Sequence, residues 1–90
     1  MQLNITILKL NLTKQALDQF FLARQSLLDD LIVYATDPTM VKRRFRMLKQ
    51  LSLYESQILN KIHSFDSEDI NDFSIEHIKH ELNHVINKSA

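Results

Sequence analysis

The chain has 90 residues, and its eleven basic and eleven acidic side chains give a formal net charge of zero. A neutral protein carries no overall field that would draw in nucleic acid or an anionic membrane surface. The length allows one domain with one modest hydrophobic core, near the lower limit of independent stability. We therefore expect residues 1–90 to form a single small domain.

Cysteine and glycine are both absent from the sequence. Without cysteine the chain has no disulfide, no thiol nucleophile and no cysteine-bound metal. Without glycine it lacks the phosphate-binding P-loop, the dinucleotide-binding turn and the strained turn that carries a hydrolase serine. These absences predict a protein that is not an enzyme and that holds neither a cofactor nor a metal.

The N-terminal sequence lacks the positively charged start and the small-residue cleavage site of a signal peptide. No apolar run approaches the roughly 18 residues that a membrane-spanning helix requires. The expected protein is therefore soluble and cytoplasmic, without a membrane partner.

The first twelve residues form a segment whose structure has two interpretations. Its apolar positions alternate, with one slip of phase: Leu3, Ile5, Ile7, Leu8, Leu10 and Leu12. A period of two is typical of a β-strand, and the slip is typical of a bulge. Three of the residues, Leu3, Ile7 and Leu10, also have helical spacing. Because a lone strand is unstable, the strand interpretation predicts that residues 1–12 pair with their copy in a dimer.

A first helix is predicted over residues 13–36, with Thr13 as its N-cap. Its apolar residues occupy two sides, since Leu22 and Val33 lie roughly opposite the main stripe. A break near Ser26 is an alternative, because Ser26 and Asp29 have the spacing of a capping box. One stripe can pack inside the molecule, so the second stripe suggests a partner.

A second helix is predicted over residues 38–63. Asp37 is a good N-cap, and Pro38 suits the first helical position, where its missing N–H costs nothing. At 100° per residue one broad apolar arc runs along the helix, formed by Val41, Phe45, Leu48, Leu51, Ile58, Leu59 and Ile62. The short connection between the two helices predicts an antiparallel αα-hairpin.

A third helical region is predicted over residues 67–88, where Ser67 opens a turn and Ser74 caps a helix over residues 75–87. The predicted fold is thus mainly α. It is a small three-helix bundle built on the αα-hairpin, with an N-terminal arm that is either extended or helical. Its predicted core is Phe20, Phe21, Leu28, Leu31, Phe45, Leu48, Leu59, Ile62, Ile78 and Leu82.

Two groups of polar residues were candidates for chemistry. Arg24, Arg44 and Glu55 lie on otherwise apolar helix faces, and we interpret them as a packed ion pair that fixes helix register. The final helix presents a row of histidines, His77, His80 and His84, on its polar side. His80 and His84 have a spacing that can hold a metal, but two ligands bind only weakly. We interpret this row as a solvated surface.

The first functional hypothesis is a small helical interaction module of the adaptor, chaperone or inhibitor type. It would bind a protein client and its own copy, as a homodimer, through apolar residues that the core leaves over. The expected partner-binding residues are Leu22, Val33, Met47, Leu53 and Tyr54.

The second hypothesis is a dimeric DNA-binding regulator. An intermolecular β-ribbon would present Lys9 and Asn11 to a groove, or helix 42–49 would track phosphates. The contacts from that basic helix would be Lys42, Arg43, Arg46 and Lys49. The zero net charge, the single ribbon lysine and the missing glycine turn place this hypothesis second.

Overall fold

The computed structural model describes residues 4–87, and across this range it contains four helices and no strand. They are α1 (Ile5–Val33), α2 (Pro38–His63), α3 (Ser67–Asp72) and α4 (Ile75–Asn87). The predicted mainly α fold is therefore confirmed.

The N-terminal strand interpretation is wrong for residues 5–12, which are the first turns of α1. Asn4 caps the helix, because its side-chain oxygen accepts a hydrogen bond from the Thr6 backbone N–H at 2.9 Å. A helix satisfies its own backbone donors and acceptors, whereas an unpaired strand leaves them open. Leu3, which also entered the strand interpretation, lies outside the described residues.

The long helix α1 runs without interruption through the proposed break at Ser26. Phe20, Ala23 and Leu27 are buried on both sides of that point, so packing holds the helix straight through it. The capping-box spacing of Ser26 and Asp29 is overridden by these tertiary contacts. The helix begins eight residues before the start of the predicted range 13–36 and ends three residues before its end.

Contacts between α1 and α2 join the beginning of one helix to the end of the other. Lys9 Nζ donates to the His63 backbone oxygen at 2.7 Å, and the Arg24 guanidinium lies 3.1 Å from the Glu55 carboxylate. At the other end Arg44 Nε donates to Asp30 at 3.2 Å. The two helices therefore run antiparallel, and the connection between them forms one tip of the molecule.

The molecule is a rod of 58 × 17 × 17 Å with a radius of gyration of 15.6 Å. A compact domain of this length would have a radius of gyration of about 12 Å. The difference arises because α1 and α2 are long and α4 covers only part of their length. A small core is thus spread along an extended molecule.

The short helix α3 follows α2 at the end of the hairpin opposite its tip, and α4 runs back along the middle of the hairpin. A reciprocal capping box opens α3: the Asp69 N–H donates to Asp66, and the Asp66 N–H donates to Asp69. The Asp69 N–H also holds the pKa of Asp66 below its ordinary value. After a break at Phe73 and Ser74, α4 packs mainly against α1 and buries Ile78 and Leu82.

The predicted core is only partly correct. Phe20, Ile62, Ile78 and Leu82 are buried, as predicted, while Leu31, Leu48 and Leu59 are half-buried. Phe21, Leu28 and Phe45 are exposed, which corrects their assignment to the core. The apolar arcs of α1 and α2 are wider than the surface that their neighbours cover, so one edge of each arc stays outside.

Candidate partner-binding face

One side of the α1–α2 hairpin is occupied by α4. Gln19 and Ser26 of α1 and Gln50 of α2 line the grooves that border α4. At 3.6 residues per turn, Leu17 and Leu28 lie about 160° around α1 from these two α1 residues. They therefore belong to the opposite side of the hairpin.

We call this opposite side the open face. Its members are apolar residues on the edges of the two helical arcs: Leu10, Leu17, Phe21 and Leu28 of α1, and Val41, Phe45, Leu48 and Leu59 of α2. The aromatic pair is well exposed, with 56% of Phe21 and 54% of Phe45 accessible. Val41, Leu48 and Leu59 are half-buried along the seam between the helices. Apolar side chains therefore occur along most of the length of the hairpin on this side.

The seam opens into a groove at the end of the hairpin opposite its tip. This groove has a volume of about 350 Å³ and is lined by Leu10, Leu59 and Ile62 together with neighbouring polar residues. The Lys9 ammonium closes it by binding the His63 carbonyl, where a cation is favoured by the helix C-terminus.

An ion pair lies in the middle of the open face. The Arg24 and Glu55 side chains are 3.1 Å apart and remain 33% and 21% exposed. The predicted packed ion pair is therefore confirmed for these two residues. A guanidinium has five donors, so Arg24 can bind Glu55 and still serve a second acceptor.

The second arginine of the predicted group has a different partner. Arg44 is 4% exposed and pairs with Asp30 rather than with Glu55, and its guanidinium lies 5.9 Å from the Tyr34 ring centroid. Arg44 lies one helical turn nearer to the tip of the hairpin than the open-face residue Leu48. It fixes the tip of the hairpin and is not available to a partner.

The predicted partner-binding residues are scattered by the structure. Met47 is 5% exposed and belongs to the core, which corrects its placement on the surface. Tyr54 is half-buried, with its ring centroid 5.5 Å from that of Phe20. Leu22, Val33 and Leu53 are exposed, but Leu22 and Val33 are three turns apart and Leu53 is on another helix. These residues do not form one surface.

The predicted nucleic-acid contacts separate into two groups. Lys9 and Asn11 are on a helix, so the β-ribbon that would present them is absent from the described residues, and Lys9 Nζ is bound to the His63 carbonyl. The remaining contacts are exposed cations on the outer side of α2: Lys42, Arg43, Arg46 and Lys49. The acidic residues of α3 follow the other end of α2, so they do not neutralise this cluster.

The histidine row does not form a metal site in the structure. Within residues 4–87, no group of three histidine, aspartate or glutamate side chains is placed to hold an ion. His77 Nε2 lies 4.0 Å from the Glu81 carboxylate, on the exposed surface of α4. This agrees with a solvated row of histidines.

A groove that the sequence patterns did not reveal lies between α2 and α4. It has a volume of about 650 Å³, and Tyr54, Lys61, Asp72 and His77 contribute polar groups to it. Burial raises the pKa of the Tyr54 hydroxyl, and the Glu81 carboxylate adds to the effect. The 4.0 Å separation of His77 and Glu81 is too long for a hydrogen-bonded acid–base pair. The groove is an open cleft lined by both polar and apolar side chains.

Comparison with protein-family models, with curated proteins and with solved structures gives no match. In the part of the chain that the structure describes, none of the helices is both long and apolar enough to span a bilayer. Function therefore has to be inferred from the surface of the molecule.

Proposed function

We propose that the protein is a non-enzymatic helical interaction module, of the adaptor, chaperone or inhibitor type, that self-associates. The observation that carries this proposal is the open face. The hairpin exposes Phe21, Phe45 and a line of leucines on the one broad side that α4 does not cover. A contiguous patch of exposed apolar side chains usually marks a protein-binding site, because soluble monomers rarely expose one.

The proposal assigns binding to different residues from those that periodicity suggests. Aromatic side chains near the centre of an interface, such as Phe21, contribute most to affinity. Around them, the leucines of α1 supply apolar area that fits a helical partner surface. The Arg24–Glu55 pair adds polar specificity inside this area, since a mismatched partner would bury its remaining donors and acceptors without hydrogen bonds.

Two adjacent residues of α1 give a matched test. Phe21 is 56% exposed on the open face, and Leu22 is 61% exposed about 100° away around the helix. We expect the unmodified chain and Leu22→Glu to sediment as dimers at tens of micromolar. Phe21→Glu should sediment as a monomer, because it places a charge in the apolar contact.

Circular dichroism of both variants is the control for folding. A monomeric unmodified chain would contradict self-association. If Leu22→Glu dissociates the dimer and Phe21→Glu does not, the interaction surface lies on the side first suggested by the sequence.

A second function, nucleic-acid binding, is favoured by one observation. Lys42, Arg46 and Lys49 are exposed on one side of α2 and border Phe45 at the edge of the open face. Fluorescence anisotropy with duplex DNA at low salt tests it, comparing Arg46→Glu with Lys61→Glu. Salt-dependent binding that only Arg46→Glu abolishes would establish this second function. Our proposal predicts that the unmodified chain does not bind DNA, so neither substitution should change the anisotropy.

A further inference from the structure

We infer that the open face packs against the open face of a second copy, with the two molecules antiparallel and α1 lying on the partner's α1. This inference rests on the proposed function and specifies its partner and arrangement. Four observations carry it: the spacing of apolar residues on α1, the separation of charge along the rod, the exposed area, and the position of the ion pair.

The four open-face residues of α1 are arranged symmetrically about Gln19. Leu17 and Phe21 each lie two residues from Gln19, and Leu10 and Leu28 each lie nine residues from it. Reversing the direction of the helix about this point therefore maps the apolar pattern onto itself. An antiparallel copy would place Leu10 against the partner's Leu28, and Leu17 against the partner's Phe21.

Two symmetric arrangements bring the open faces together while keeping the helices aligned. If the two-fold axis runs along the rod, the tips lie side by side and α1 packs on the partner's α2. If the axis crosses the rod, the tips point in opposite directions and α1 packs on the partner's α1. Only the second arrangement uses the symmetry of the α1 pattern.

Charge along the rod also favours opposite tips. Four exposed cations lie within residues 42–49 near the tip, and four acids lie within residues 66–72 at the other end. Tips side by side would bring the two basic segments together. Opposite tips bring each basic segment to the acidic end of its partner. At physiological salt the screening length is about 8 Å, so this effect selects orientation more than it adds affinity.

The exposed area matches what a dimer would bury. The protein has 6623 Å² of accessible surface. A compact monomer of 10.6 kDa would have about 5,500 Å². The excess of about 1,100 Å² exceeds the roughly 800 Å² that each partner contributes to a standard stable interface. The elongated shape therefore leaves enough accessible surface for a second copy to cover.

The central charges can be satisfied in the antiparallel arrangement. Reversal about Gln19 brings Lys14 to the partner's Arg24, since each lies five residues from the centre. Two carboxylates accompany these cations: Glu55 is bound to Arg24, and Asp18 is one helical turn from Lys14. The four charges balance near the two-fold axis.

Spin labels on single cysteines can test the orientation, because the natural chain has no cysteine of its own. Suitable exposed positions are Asn11, Leu22 and Asp29 of α1. With a rise of 1.5 Å per residue about Gln19, the axial separations of paired labels are about 24, 9 and 30 Å in the antiparallel dimer. Pulsed electron spin resonance should give long distances at Asn11 and Asp29 and a shorter distance at Leu22.

The outcomes distinguish the inference from the proposed function. A dimer whose label distance is the same at all three positions has the tips side by side, and overturns the antiparallel arrangement while self-association stands. If the full-length chain gives no inter-label distance and sediments as a monomer, both fail. Addition of Phe21→Glu should abolish the distances in the antiparallel dimer.

Discussion

Arg44 shows how a single charged residue can be part of the core of this small protein. A buried cation is costly unless a carboxylate or other acceptors compensate it. Arg44 is buried and hydrogen-bonds Asp30 at 3.2 Å, and the Tyr34 ring faces the same guanidinium. The pair connects the end of α1 to the start of α2, so it fixes the tip of the hairpin.

Asp30 and its neighbour Asp29 provide a matched prediction. Asp30→Ala removes a charged acceptor from buried Arg44 and should lower the free energy of unfolding by about 1–3 kcal/mol. Asp29 is exposed, and Asp29→Ala should change the free energy of unfolding by no more than about 0.5 kcal/mol. Urea denaturation measures both. Equal effects of the two substitutions would mean that Asp30 does not compensate Arg44.

Tyr54 predicts a dependence of stability on pH. Burial, with Glu81, raises the pKa of Tyr54 in the folded state above its ordinary value of 10.0. The folded state therefore holds this proton more tightly than the unfolded chain does. The resulting stability is complete below pH 10.0 and is lost as the pH rises through the folded pKa.

Tyr54→Phe has no proton to lose at this position, so its stability should fall less steeply above pH 10.0 than that of the natural protein. Thermal unfolding at a series of pH values around that point measures the difference. Parallel curves for the two proteins would show that Tyr54 titrates as it does in the unfolded chain.

At the scale of the helix, α2 was predictable because its signals are local. Asp37 accepts hydrogen bonds from the Thr39 and Met40 N–H groups, and Pro38 follows it directly. The start of α1 was not predictable from the sequence, because the spacing of its apolar residues fits both a strand and a helix. In the fold, Lys9 near that start binds the His63 carbonyl at the end of α2, and this tertiary contact favours the helix.

The wrong assignment of some residues to the core and of others to the surface has a similar cause. Periodicity places Phe21 and Phe45 on apolar arcs, but it does not show which edge of an arc a third helix will cover. The docking of α4 decides that, and it depends on close approach at Ala16 and Ala23, both buried. Met47 is drawn into the core by the same packing, away from its predicted exposed position. The candidate partner-binding face thus consists of residues that the sequence assigned to the interior.

Ala23 gives a prediction for the packing of α4 on α1. This residue is buried, and it lines the groove between the two helices with Leu82 and Ile86. Ala23→Leu adds volume to a packed contact and should lower the free energy of unfolding by about 1–3 kcal/mol. Ala35→Leu, at an exposed position of the connection, is the control. If Ala23→Leu left the free energy of unfolding unchanged, α4 would not pack closely here.

For the whole molecule, an elongated shape and a thin core together favour association. A domain of this length has little surplus stability, and the rod covers its long hairpin on one side only. Packing two open faces together would convert two thin layers into a four-helix core with the α4 helices outside. The dimer would be thicker than the monomer but hardly longer.

Small-angle X-ray scattering of the unmodified chain at tens of micromolar tests this arrangement most directly. We expect a particle with twice the 10.6 kDa mass of one chain and a maximum dimension close to the 58 Å length of one protomer. A particle with the mass of one chain would contradict association. A particle of two chains with a maximum dimension approaching twice 58 Å would contradict packing through the open face.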